Sequence, residues 1–169
     1  MSAIAGILHF HGAPLEPSLI EKLSGAMKRR RPDAQTRWVQ GPVALGHCML
    51  RATPESLDEH QPLASRDENL VMVWDGRLDN REELQRQLNA AGAVLRDRSD
   101  AELALQAYAA WGEDCPGRLL GDFAFAVWDA HERTLFAARD PLGIKPFMFA
   151  ALDGGLVFAS TLAAFLALP

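Results

Sequence analysis

At 169 residues, 49% hydrophobic and 23% charged, the chain has the length and composition of one folded domain with a substantial core, not of a disordered segment. No apolar run approaches the roughly 20 residues that span a bilayer, and the N-terminus carries no basic-then-apolar secretion signal, so a cytoplasmic location is expected. A net charge of −5 argues against a nucleic-acid partner, and two cysteines without CxxC spacing indicate neither a disulfide framework nor a zinc site.

Residues 3–10 read as a buried strand. From Pro17 to Arg30, Leu19, Ile20, Leu23 and Met27 recur at helical spacing, and the basic run Lys28–Arg31 falls at the carbonyl end of that helix, where cations complement the dipole. Strands follow at Thr36–Val39 and Val43–Leu50, separated by Gly41-Pro42. Residues 51–69 are polar and irregular, punctuated by Pro54 and Pro62. Leu70–Trp74 reads as a strand that Asp75-Gly76 ends in a turn. Asn80 with Glu83 signals the N-terminus of a helix reaching Ala91, and Ser99 with Glu102 that of Asp100–Trp111.

Four short strands close the pattern, at Phe123–Asp129, Thr134–Arg139, Phe147–Leu152 and Leu156–Ser160. In Phe123–Trp128 both alternating faces are apolar, as in a sheet covered on one side by a second sheet and on the other by helices. There is no internal repeat or linker, so residues 1–169 form a single layered domain of mixed α and β structure. Some residues tempt without forming a site. Cys48 on its strand is the size and character of a buried small hydrophobe, His9 and His11 share a strand face but have no third metal ligand near, and His131 falls in a polar turn. The four tryptophans are scattered over separate elements as core or sheet-face residues.

The start, Met1-Ser2-Ala3-Ile4-Ala5-Gly6-Ile7, resembles the Met-Cys-Gly-Ile-Ala-Gly-Ile start of class II glutamine amidotransferase domains, as in asparagine synthetase B and its relatives. Arg139-Asp140-Pro141-Leu142-Gly143-Ile144-Lys145-Pro146 resembles the family's Arg-Asp-Pro-x-Gly-x-Lys-Pro, and Gly121–Ala126, Gly46-His47, Gln61-Pro62 and Ser99-Asp100-x-Glu102 follow in the family's order. The resemblance covers nearly the whole chain. It implies an α+β fold, the four-layer αββα sandwich of the N-terminal-nucleophile hydrolases.

It also implies a site, which this chain alters position by position. The family's first Cys serves as nucleophile, with its own α-amine as base; here Ser2 stands there, and a hydroxyl is far harder to activate than a thiol. His-Arg-Gly-Pro-Asp is reduced to Arg29-Arg30-Arg31-Pro32-Asp33. In Gly-His-x-Arg-Leu the Arg holds the α-carboxylate of glutamine, and Met49 replaces it. The oxyanion hole of Asn-Gly-Glu becomes Asp75-Gly76-Arg77, placing a carboxylate where a donor belongs and an Arg where the Glu held the substrate amine. Asp100 alone survives from the amine subsite. The expectation is that no catalytic residue operates here, with Ser2, Asp75 and Gly76 altered catalytic positions and Met49, Arg77 and Asp100 a vestigial substrate subsite in which Arg77 pairs with Asp75 or Asp100.

Lasso peptide cyclases and β-lactam synthetases are relatives of asparagine synthetase that also lack the N-terminal Cys, since both join an amine already present in the substrate. Met49-Leu50-Arg51-Ala52-Thr53-Pro54-Glu55-Ser56 is closer to the corresponding segment of lasso cyclases. The expectation is therefore a scaffold domain without metal or cofactor of its own. Its partner is an ATP- and Mg-dependent synthetase domain, in the same parent chain or in trans, that acts on a precursor peptide. The alternatives are a live hydrolase or amidotransferase using Ser2, or the N-terminal domain of a β-lactam or asparagine synthetase. The apolar tail Leu162–Leu168 adds an expectation of self-association.

Overall fold

The computed structural model describes residues 2–51 and 59–168; Met1 and the whole Ala52–Ser56 stretch of the lasso-like segment, Pro54 included, lie outside them. Among the described residues, nine strands and four α-helices follow in chain order: β1 (Ala3–His9), α1 (Pro17–Ala26), β2 (Ala34–Gln40), β3 (Val43–Met49), β4 (Leu63–Ala64), β5 (Leu70–Leu78), α2 (Arg81–Ala90), α3 (Asp100–Trp111), β6 (Gly121–Asp129), β7 (Thr134–Arg139), β8 (Met148–Leu152), β9 (Gly155–Ala159) and α4 (Leu162–Phe165). They form two antiparallel sheets, β2-β3-β1-β9-β8 and β4-β5-β6-β7.

Side-chain alternation sorts the core into three layers. Ile4, Val43, Leu45 and Phe158 of the first sheet meet Val71, Val73, Ala124 and Ala126 of the second. The opposite face of the first sheet, with Ala5, Ile7, Ala44 and Val157, is covered by Ile20 and Leu23 of α1. The opposite face of the second, with Trp74, Phe123, Phe125 and Val127, is covered by Leu84, Leu88, Leu103 and Leu105 of α2 and α3. This is the αββα sandwich, and β6 is apolar on both faces for the reason read in its sequence. Each fully buried large side chain contributes about 1.5–3 kcal/mol relative to exposure. Gly6 belongs to the inter-sheet layer because a Cβ there would lie 2.3 Å from the Phe158 ring.

Four local expectations change. β5 does not stop at Trp74: it pairs with β6 through Asp75↔Ala124, Gly76↔Phe123 and Arg77↔Asp122 to Leu78↔Gly121. Gly76 is required there by crowding, since a Cβ would meet the Phe123 Cβ at 2.7 Å, and not by a turn. The residues around Leu63 pair with β5 as a two-residue strand within the stretch expected to be irregular. Asn80 precedes α2 without capping it; its side chain instead donates to the Arg118 carbonyl at 3.0 Å and accepts from the Leu120 N–H at 3.0 Å. α1 ends at Ala26, and a 3₁₀ turn over Met27–Arg30 delivers Arg31 with φ 50°, so the basic run follows the helix and does not close it.

Ser99 does cap α3, its hydroxyl accepting from the Glu102 N–H at 3.1 Å, whereas the Glu102 carboxylate turns to Arg96 at 2.6 Å. In the tail, Phe165 and Leu168 pack against the α1 layer, while Leu162 and Leu166 remain exposed.

Candidate functional site

Val43 and Leu45 face the second sheet, so alternation turns His47 and Met49 the same way, and Ser2 shares the side of Ile4 on the neighbouring strand. Val71 and Val73 likewise turn Asp75 into the inter-sheet layer. Ser2, Met49 and Asp75, the positions the resemblance marks as altered, therefore face one space.

Each has a local occupation. The Ser2 hydroxyl accepts from the Leu50 N–H at 3.0 Å. Met49 is buried and offers a thioether where a carboxylate would need a cation. Its carbonyl accepts from the Asp33 N–H at 2.8 Å, and the Asp33 carboxylate accepts from the Arg51 N–H at 2.7 Å, so the retained Asp33 pins the end of β3. Asp75 is 2% exposed and pairs with the Lys145 ammonium at 2.9 Å.

Lys145 reaches Asp75 because of the loop between β7 and β8. Gly143 adopts φ 65° and donates its N–H to the Asp140 carbonyl at 2.9 Å. The buried Asp140 carboxylate accepts from the Ile144 and Lys145 N–H groups at 2.9 and 3.0 Å. Burial pushes the Asp140 carboxyl up, but these backbone donors outweigh it and hold it below the usual carboxylate range. The Arg-Asp-Pro-x-Gly-x-Lys-Pro motif is a carboxylate-centred loop that presents a lysine to Asp75.

The amine subsite departs from expectation. Arg77 does not pair with Asp75 or Asp100: its guanidinium is largely exposed and binds Asp79 at 2.6 Å. The strand is the reason, since Arg77 shares the face of Asp75 whereas Asp100 opens α3 on the opposite side of that sheet. Asp100, buried, accepts from the Leu78 N–H at 3.0 Å and is clasped by Arg81, Nε to Oδ1 at 2.6 Å and Nη2 to Oδ2 at 3.0 Å. Arg81 is thus the cation on the surviving carboxylate, and nothing in the motif spacing pointed to it.

Glu59 went unread in the sequence, and Gln61 and His47 were read there only as parts of motifs. The buried Gln61 side chain extends the edge of β5, accepting from the Trp74 N–H at 2.6 Å and donating to the Trp74 carbonyl at 3.0 Å. It also bonds Glu59, whose carboxyl is raised by burial and by the charges of Asp100 and Asp97, with the Gln61 amide and Arg81 offsetting part of the shift. The only signal for Glu59 was its place two residues before Gln61-Pro62. His47, 1% exposed, is lowered by burial to about 4, the Trp74 backbone offsetting part of that shift.

The tempting residues go elsewhere. Cys48 faces α1, with its Sγ 3.8 Å from the Ser24 carbonyl, on the wrong side of the sheet to replace Ser2. His9 Nδ1 lies 3.2 Å from the Ala13 carbonyl, and His131 is exposed beside Glu132. Trp74 and Trp128 are buried, Trp38 packs against the inter-sheet core, and Trp111 carries the Arg118 guanidinium 4.4 Å from its ring. Among the described residues no three His, Cys, Asp or Glu side chains are placed to hold a metal ion, and no helix is long and apolar enough to cross a membrane.

The helices and the two antiparallel sheets between them are those of the N-terminal-nucleophile-type sandwich. Glutamine phosphoribosylpyrophosphate amidotransferase from B. subtilis superposes with a TM-score of 0.78 over 98% of this chain and 43% of its own, at 20% identity, which speaks for the fold alone. Residues 1–169 match the glutamine amidotransferase domain family throughout, and the chain belongs to it as a class II member. It is 36% identical over 156 residues to asparagine synthetase [glutamine-hydrolyzing] 3 of Bacillus subtilis, covering 91% of this chain and 25% of that protein. A putative asparagine synthetase [glutamine-hydrolyzing] of Mycobacterium bovis is 35% identical, over 93% of this chain and 27% of its own length. The chain thus spans about a quarter of the length of these curated relatives.

Proposed function

We propose that this domain no longer hydrolyses glutamine and serves as the scaffold of an ATP-dependent, asparagine synthetase-like enzyme that forms amides in the cytoplasm. The observation that carries the reading is the buried Asp75–Lys145 pair at the oxyanion position. A tetrahedral oxyanion needs free donors aimed at it, and loss of one costs about 10²–10³ in rate. Here a carboxylate occupies the position and already pairs with the Lys145 ammonium. The hydroxyl of Ser2, the thioether of Met49 and the Arg81-filled carboxylate of Asp100 weaken nucleophile, anchor and amine subsite independently.

The finer reading is a lasso peptide cyclase. A synthetase domain, in the same parent chain or in trans, would use ATP and Mg to adenylate an Asp or Glu side chain of a precursor peptide, releasing pyrophosphate. The peptide's own N-terminal amine would then displace AMP and close the ring, with no ammonia required. Support comes from the lost glutaminase positions and from the Met49–Ser56 segment. The similarity to glutamine-hydrolysing asparagine synthetases favours a second reading, the glutaminase domain of such an enzyme acting through Ser2.

Glutamate release from glutamine separates the two. The purified protein should release none above a heat-denatured control, and Ser2→Cys alone should not restore it, because anchor and oxyanion hole remain altered. Clear turnover by the unmodified chain would establish the second reading.

A further inference from the structure

The four edges of the two sheets are protected unequally. β2 carries Arg37, paired with Glu21 at 2.9 Å; β4 is two residues long; β7 ends in Arg139. β8 reads Met148-Phe149-Ala150-Ala151-Leu152, without charge, proline or bulge. Its pairing with β9 uses one side of its backbone and leaves the other as a strand edge. Soluble proteins usually block such edges with charge, proline or brevity. Phe149 is 71% exposed on it.

Beside this edge the sandwich opens. A cleft of about 380 Å³ lies between β7 and the β8–β9 hairpin, walled by Ala137, Phe147, Phe149, Leu156 and Phe158. Phe147 and Phe158 stack at 5.1 Å to form part of its wall. Its one charged residue is Arg139. Among the described residues the Arg139 side chain has no ion pair or hydrogen bond, and its guanidinium lies over Gly143, where a Cβ would come within 3.3 Å. An apolar cleft with a single unpaired cation is complementary to an apolar segment bearing a single carboxylate.

We infer that β8 is a docking edge for an extended peptide segment, which adds antiparallel to it as a sixth strand. Alternate apolar side chains fill the cleft, and a carboxylate near the segment's C-terminal end meets Arg139. Main-chain hydrogen bonds to the free edge supply affinity, and the cleft and guanidinium supply selection. Direction follows from the topology: Arg139 leads into the loop that begins β8, and the C-terminal end of an antiparallel strand lies there. The inference stands whether or not the glutaminase site is live.

The probe is a labelled peptide, acetyl-Thr-Val-Thr-Val-Thr-Asp-Thr-amide, followed by fluorescence anisotropy on the full chain. Saturable binding is expected. It should fall about tenfold with Arg139→Gln, and by as much when Asn replaces the probe's Asp, as for loss of one charge-assisted contact. Ala137→Phe, which fills the cleft, should abolish it, with thermal unfolding confirming that each variant folds. N-methylation of alternate probe amides should also abolish it, and this arm needs no protein variant. Absence of saturable binding, or binding indifferent to N-methylation and to Arg139→Gln, overturns the inference. A dimer in sedimentation that the probe does not dissociate assigns the edge to a second copy and overturns it equally.

Discussion

His47 sits in the inter-sheet layer with its imidazole lowered to about 4, against an ordinary value near 6.5. A base with a depressed folded pKa stabilises the fold above its unfolded pKa, and that contribution is lost as pH falls from about 6.5 towards 4. A gap of about 2.5 units corresponds to about 3 kcal/mol in order of magnitude. Glu59, raised by burial, works in the opposite sense, since its contribution fades as pH rises. The informative quantity is therefore a difference. Between pH 7 and pH 4.5 the urea midpoint of the unmodified protein should fall further than that of His47→Leu. Equal falls would show that His47 does not carry acid sensitivity. At this scale the sequence was a good guide to identity and a poor one to pairing. Residue types alone raised the expectation that Met49 and Asp75 do not serve the roles the resemblance implies. The partner of Asp100 depended on which face of β5 Arg77 occupies, and a misplaced turn at Asp75-Gly76 hid that.

The loop between β7 and β8 was legible as a motif, yet its purpose appeared only in three dimensions. The motif marked the segment; the fold adds that Asp140 organises its turn and that Lys145 is the product. Removing one member of a buried pair strands the other charge, at about 3–5 kcal/mol, whereas replacing both with apolar residues is often neutral. Lys145→Met should therefore destabilise by about 3 kcal/mol, and Asp75→Leu added to it should recover most of that loss. Denaturant titration of the two variants decides the matter: a double variant no more stable than the single would mean the Asp75 charge is not what Lys145 compensates. Capping signals divided for a related reason. Ser99 acts locally and was read correctly, while Asn80 was drawn away by the Leu120 N–H, a partner 40 residues distant that no local pattern exposes.

Across the molecule, the two-faced apolar pattern of β6 foretold the layered arrangement, because a strand needs both covers to be apolar on both sides. The strand order was beyond periodicity, which says nothing of which strands are neighbours. That order sets β1 between β3 and β9, with the Phe158 ring seated over Gly6. The Ile4 N–H donates to the Ser160 hydroxyl at 2.9 Å, a contact spanning 156 residues. β1 is synthesised long before β9, its second neighbour in the sheet. Until β9 is made, the strand leading from Ser2 waits with one edge unpaired. Contacts so distant in sequence slow folding, because the loop between them must be closed before they reward it. A fragment ending at residue 154 should accordingly exchange its β1 amides rapidly in deuterium oxide, and the whole chain should protect them. Protection in the fragment would mean that β3 alone secures β1. Ser2 and the strand it leads are thus among the last parts of the domain to acquire a fixed shape, so a nascent chain stalled short of β9 would present its first strand only half paired.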